Sequence, residues 1–257
     1  HLFSNCDLRI LLVPLIVEQI LNSLMGTADS IMVSNVGSAA ISAVSLVDSI
    51  NILVIQAFYA LAAGGTIVCS QYIGQKDKKN AEESARQLSF VVACISSAVM
   101  AVCLLTRGPL LRLIFGSVEA DVMEAAQIYF FYTALSFPFI ALYDAGSSIY
   151  RAQGNTRLPM TIAVVSNGLN IAGNAVLIWG FHLGVAGAAI ATLGSRVISA
   201  VVVFAFLHNP SQEIAVRDYL HIRPDGRRIM RILQIPARPH ACVFVHIVPF
   251  ACAVIIL

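Results

Sequence analysis

Six long apolar stretches separated by short polar segments dominate the 257-residue chain: 11–34, 44–70, 88–106, 124–147, 158–180 and 183–207. A hydrocarbon core about 30 Å thick takes roughly 20 apolar residues as a helix, so each stretch predicts one membrane-spanning helix. The run QKDKKNAEESARQ (75–87) and the segment YRAQGNTRL (150–158) predict loops, and Trp179, Phe181 and His182 mark a tight interfacial turn between the last two spans. Pro138 falls inside the fourth stretch and predicts a kink there. The expected fold is all-α: a polytopic membrane protein built as a six-transmembrane-helix bundle.

Composition agrees with this pattern. Apolar residues make up 58% of the chain and charged residues 12%, and the mean hydropathy is +0.81. A soluble domain carries about 25% charged residues, and half that fraction cannot cover a water-facing surface. The formal net charge of +2 is too small for a nucleic-acid-binding face, so no nucleic acid is expected. Six cysteines (Cys6, Cys69, Cys94, Cys103, Cys242, Cys252) form no CxxC and have no His partner at metal-ligand spacing. Cys69, Cys94 and Cys103 lie within apolar runs and read as small hydrophobes of helices. The chain starts at His1, so the natural start is expected to be missing or removed. Its first apolar stretch is too long for a signal peptide.

Where the charges fall gives an orientation. Arg9, Lys76, Lys78, Lys79, Arg86, Arg151, Arg157, Arg217, Arg223, Arg227, Arg228 and Arg231 all fall on one side of a six-span topology. The other side has only Arg107 and Arg112. Cytoplasmic loops hold the excess of Lys and Arg, so both ends of the six-helix unit are expected in the cytoplasm of a cell whose plasma (inner) membrane the protein spans. Gly64 and Gly65 read as close-packing positions, because no phosphate-binding GxxxxGK follows them.

A few polar residues lie within the spans, where each is expensive. Glu18 and Asp29 are eleven residues apart in the first stretch, about 20° from alignment and roughly 16 Å apart along a helix, which puts them on one face. The fifth stretch adds Asn167, Asn170 and Asn174 on one stripe, and the sixth adds Thr192 and Arg196. Counting roughly 1.5 Å per residue from the span ends puts Asp29, Asn170, Asn174 and Thr192 in the same outward half of the membrane. A carboxyl held there can take up and release a proton, or bind a small cation with help from amide and hydroxyl oxygens. Glu18, Gln56, Tyr59, Asn167 and Arg196 read as cavity or substrate-lining residues. Asp48 reads as a wet residue near the outer end of its span, and Asp144 as one close to the cytoplasmic end.

Four blocks resemble the multidrug and toxic compound extrusion (MATE) family of secondary transporters, in the family's order. They are PLIVEQILNSLMGTADSIMVSNVGSAAISAVSL (14–46), AAGGTIVCSQYIGQKDKKNAEESARQ (62–87), YRAQGNTRLPM (150–160) and LNIAGNAVLIWGFHLGVAGAAIATLGSRVISAVV (169–202). The resemblance implies one lobe of a twelve-helix, two-lobe carrier that exports small organic cations or drugs against inward H+ or Na+, with no cofactor. It implies that Asp29 is the ion-coupling acid, joined by Asn170, Asn174 and Thr192. The family has an Asp where this chain has Asn174, which weakens a Na+ site at Asp29. Residues 1–235 then form the amino-terminal lobe, and a second lobe or another copy is the implied partner. The hydrophobic tail 236–257 departs from the family and reads as the product of a frameshift or truncation.

Other classes fit less well. Tyr143-Asp144 with Asp29 suggests an intramembrane aspartyl protease, yet GxGD, HExxH and GxSxG are all absent. No enzyme is expected. An inactive structural or interacting membrane fragment is the alternative to a carrier half.

Overall fold

The computed structural model describes residues 5–116 and 118–208, with a few isolated positions up to 232. The 236–257 tail and Arg217, Arg223, Arg227, Arg228 and Arg231 lie outside the described residues. Among the described residues eight α-helices follow one another: α1 (Asn5–Val33), α2 (Ser38–Gly74), α3 (Lys78–Leu105), α4 (Arg107–Phe115), α5 (Ala120–Leu135), α6 (Phe137–Ala152), α7 (Arg157–Asn174) and α8 (Gly184–Leu207). A single π-helical turn, Ala175–Gly180, continues α7. Among the described residues there is no strand.

Among the described residues four elements are long and apolar enough to cross a membrane: α2, α3, α7 with its π turn, and α8. The pair α5–α6, bent by 41°, makes a fifth. At 29 residues α1 is about 44 Å long, sufficient for a crossing despite Glu18 and Asp29. These six elements correspond to the six expected spans. Leu53, Ile31 and Val201 point outward, as suits helices solvated by lipid rather than water.

Two expected loops are partly helical. α3 begins at Lys78, so most of the run 75–87 is helix. Its first turn is capped by the Asp77 carboxylate, which accepts from the Asn80 backbone N–H at 3.2 Å. Glu83–Arg86 and Lys78–Glu82 pairs follow on its exposed face. At the other segment, α6 runs on to Ala152 and α7 starts at Arg157, which leaves only 153–156 as the turn. The hydrophilic residues there are helix ends that reach past the apolar core. The short helix α4 between the third and fourth spans was not expected.

The fourth span breaks at Ser136, as Pro138 predicts. Pro138 has no N–H to give the Ala134 carbonyl, so the ladder is interrupted and α6 starts afresh with Pro in its first turn. Phe137 is locked against Phe58 of α2, ring edge to face with centroids 6.1 Å apart. Around this break α2 packs on α3, α5 and α6, while α7 packs on α1 and α8. The largest fully buried side chains, Tyr129, Phe130, Phe137 and Tyr150, all come from α5 and α6. Gly65 and Gly146 let helices touch: a Cβ on Gly65 would run into the Leu88 side chain, and one on Gly146 into Val203. Cys69, Cys94 and Cys103 are free thiols of helices.

Candidate functional site

Asp29 sits one turn before the end of α1, almost completely buried, and three helices converge on it. Thr192 of α8 donates its hydroxyl to Oδ2 at 2.5 Å, and Asn174 of α7 donates Nδ2 to Oδ1 at 2.6 Å. Tyr129 of α5 donates to Oδ2 at 3.2 Å. Asn170 supports both partners: its Nδ2 donates to the Thr192 hydroxyl at 2.9 Å, and its Oδ1 accepts from Asn174 at 3.4 Å. The i, i+4 spacing of Asn170 and Asn174 stacks the two amides on the face of α7 that packs on α1 and α8. Asp29, Thr192, Asn170 and Asn174 therefore close a ring of hydrogen bonds, drawn from three helices, around one carboxylate. One atom in it, Asn174 Oδ1, is buried without a partner.

Tyr129 also faces a second acid. Its hydroxyl lies 3.2 Å from Asp48 Oδ1 on α2, and Asn51 donates Nδ2 to the same oxygen at 3.2 Å. Asp48 is only partly exposed and packs opposite Gly26 of α1, where a Cβ would come 3.3 Å from Oδ2. The expectation of a wet residue is thus corrected. Asp48 joins the polar site because its side chain turns inward between α1 and α5.

Glu18 belongs to a second cluster on the same face of α1. Its Oε1 pairs with Arg151 Nη2 of α6 at 3.2 Å, both side chains buried, and accepts from the Tyr143 hydroxyl at 3.1 Å. Arg151 Nη1 donates to the Tyr59 hydroxyl at 3.3 Å, and the guanidinium lies over the Tyr59 ring, 5.3 Å from its centroid. Asp144 precedes Arg151 by seven residues and so shares its helix face. Glu18 Oε2, Gln56 Oε1, Asp144 Oδ2 and Arg151 Nε are buried without partners.

Two candidates sit apart from both rings. Asn167 Nδ2 bonds back to the Ala163 carbonyl of its own helix at 2.9 Å. Arg196 of α8 donates Nη1 to Ser136 Oγ at 2.6 Å, at the break between α5 and α6. Sequence reasoning missed Tyr129, Asp48, Asn51 and the role of Arg151. Among the described residues no group of three or more His, Cys, Asp or Glu could hold a metal ion.

A bundle of membrane-length helices packed around a buried, multiply bonded carboxylate has the build of a membrane transporter, and its relatives are of that class. The MatE family model matches residues 14–176. YisQ of Bacillus subtilis (strain 168), an uncharacterized transporter, is 31% identical over 229 residues, covering 87% of this chain and 50% of its own length. The probable multidrug resistance protein NorM of Thermotoga maritima is 28% identical over 74% of this chain and 41% of its own. A crystal structure of MATE in its bent conformation superposes with a TM-score of 0.83 at 22% identity, over 90% of this chain and 52% of that one. An outward-facing multidrug resistance MATE transporter of the MOP superfamily gives 0.83 at 23%, over 92% and 52%.

The chain belongs to the MatE family, whose members are transporters and not enzymes. It spans about half the length of the curated relatives it matches.

Proposed function

We propose that this chain forms one six-helix lobe, residues 1–235, of a secondary carrier that exports small organic cations in exchange for protons, with Asp29 as the proton-carrying group. The observation behind this reading is the Asp29 carboxylate, held by donors from α5, α7 and α8. A change of charge at Asp29 alters bonds to three helices at once, which is how a bound proton biases one arrangement of a bundle over another. The unpartnered Asn174 Oδ1 is an acceptor within the ring that a protonated Asp29 can use once the amide turns.

Protons are favoured over Na+ by the donors. A hard cation is held by oxygens, whereas the Asn174 amide presents its N–H to Asp29 here. A charge crossing the membrane gains about 2.3 kcal/mol per 100 mV, a usable drive for export. In this reading Glu18, Gln56, Tyr59, Asn167 and Arg196 face the substrate's path. Multidrug resistance proteins among the relatives support the substrate class. Both ends of the lobe face the cytoplasm across the plasma membrane, and the second half of the carrier is another lobe or another copy of the chain.

The test is uptake of ethidium into inside-out proteoliposomes containing the purified chain, under an imposed pH gradient and then under a Na+ gradient alone. Proton-driven uptake lost in Asp29→Asn is the expected result. Uptake driven by Na+ alone, or unchanged in the variant, overturns the reading. Light scattering in detergent reports whether a second copy completes the carrier.

A further inference from the structure

We infer that Asp48 is the second acid of the coupling site, and that Asp29 and Asp48 together hold one shared proton beside Tyr129. This deepens the proton-coupling reading and rests on it. Asn170 and Asn174 bring amides to the ring, so α7 supplies no second carboxylate. One comes instead from α2.

The geometry is specific. A phenol has one hydrogen, yet the Tyr129 oxygen lies 3.2 Å from both Asp29 Oδ2 and Asp48 Oδ1. It can satisfy only one of them at a time. The two carboxylates are thereby brought within roughly 6 Å of each other, the range in which like charges oppose joint ionisation. Tyr129 itself is fully buried, so no bulk water intervenes there to screen them.

Every charged group near the pair can be named. Asp29 comes from α1, Asp48 from α2, and Tyr129 from α5. Arg196 of α8, its Nη1 on Ser136 at the α5–α6 break, is the nearby cation, and Asp144 of α6 is the further acid within reach of its charge. Asn51 is the remaining hydrogen-bond partner of Asp48. Two carboxylates buried on one phenol oppose joint ionisation, so one of them is neutral, and its proton reaches the other only by relay through the Tyr129 oxygen that lies between them. Asp29 carries the charge when Tyr129 donates to it, and Asp48 when the hydroxyl turns to α2. Charge moves between α1 and α2 when the neutral carboxyl gives its proton to the Tyr129 oxygen while the phenol gives its own proton to the other carboxylate.

Infrared spectroscopy of the purified chain at pH 7 counts protonated carboxyls through their C=O stretch. Asp144 is common to wild type and to both Asn variants, and Arg196→Gln is compared with its parent in an Asp144→Asn background so that only the pair reports. Asp48→Asn and Asp29→Asn are each expected to lose one carboxyl's share of that band, because the remaining acid ionises opposite Arg196. A band lost in only one variant, or in neither, overturns the shared proton. Arg196→Gln decides the matter should an Asn variant not fold. It is expected to gain one carboxyl's share, and a spectrum identical to wild type overturns the inference. No transport gradient enters the measurement. A wild type that shows the shared proton but no proton-driven uptake would sink the antiport reading alone.

Discussion

Glu18 and Arg151 form an ion pair 3.2 Å long across 133 residues of chain, with their side chains 1% and 8% exposed. It ties the middle of α1 to the last turn of α6, at the opposite end of the bundle from Asp29. Removing one member of a buried pair leaves an uncompensated charge and costs about 3–5 kcal/mol. Arg151→Gln is expected to lower thermal stability in detergent by that amount. Glu18→Gln with Arg151→Gln is expected to cost less than the two single changes added together, and strict additivity in the double-mutant cycle would show that the pair is not coupled.

The contact between α2 and α3 depends on Gly65. Replacing it with Ala puts a methyl group into Leu88 and forces the helices apart, which costs about 1–3 kcal/mol. Gly65→Ala with Leu88→Ala is expected to recover part of the loss, as read from the unfolding midpoint. No recovery would mean that Gly65 serves something other than this contact.

Asn174→Asp sets a second carboxylate directly against Asp29, where the amide now donates at 2.6 Å. The variant is expected to bind Na+ and to be stabilised by it, by about 1.4 kcal/mol with Na+ at ten times its Kd. Thermal midpoints in NaCl and choline chloride check this. An equal response to Na+ in the wild type would contradict the proton reading.

Much of the Asp29 ring was legible in the sequence, for a physical reason. Asp29, Asn170, Asn174 and Thr192 are polar residues in otherwise apolar helices, so their cost announces them and helical spacing sets their depth. Tyr129 was hidden because a tyrosine in an apolar helix is unremarkable until its hydroxyl is seen to have acidic neighbours. Asp48 was misread for the opposite reason: near a helix end an acid usually reaches water, and only the packing of α1 and α5 over it shows otherwise. Arg151 looked like a loop charge because five polar or turn residues follow within the same segment, while α6 carries it one turn further under cover. The six spans were legible from hydropathy. Helix ends were not, since the polar first turns of α3 draw their stability from capping and ion pairs rather than from lipid.

Ser136 offers a separate test. Arg196 Nη1 donates to its hydroxyl at 2.6 Å, and that hydroxyl donates in turn to the Thr133 carbonyl at 2.6 Å. Ser136→Ala strips a buried guanidinium of its hydrogen-bond partner and is expected to cost about 1–3 kcal/mol in thermal stability. Ser136→Thr keeps the hydroxyl and is expected to cost less. Equal losses in both would assign the effect to packing.

The break at Ser136 divides one membrane crossing into two arms with separate duties. α5 delivers Tyr129 to Asp29 and Asp48, while α6 delivers Tyr143 and Arg151 to Glu18. A continuous helix would fix the azimuth of both sets by a single rotation, so turning one toward its target would turn the other away. With the ladder cut at Pro138, each arm chooses its own bearing, and the span works like two compass needles on a common pivot. A substitution that re-aims one needle leaves the other pointing where it was, which lets the two ends of the bundle be tuned independently.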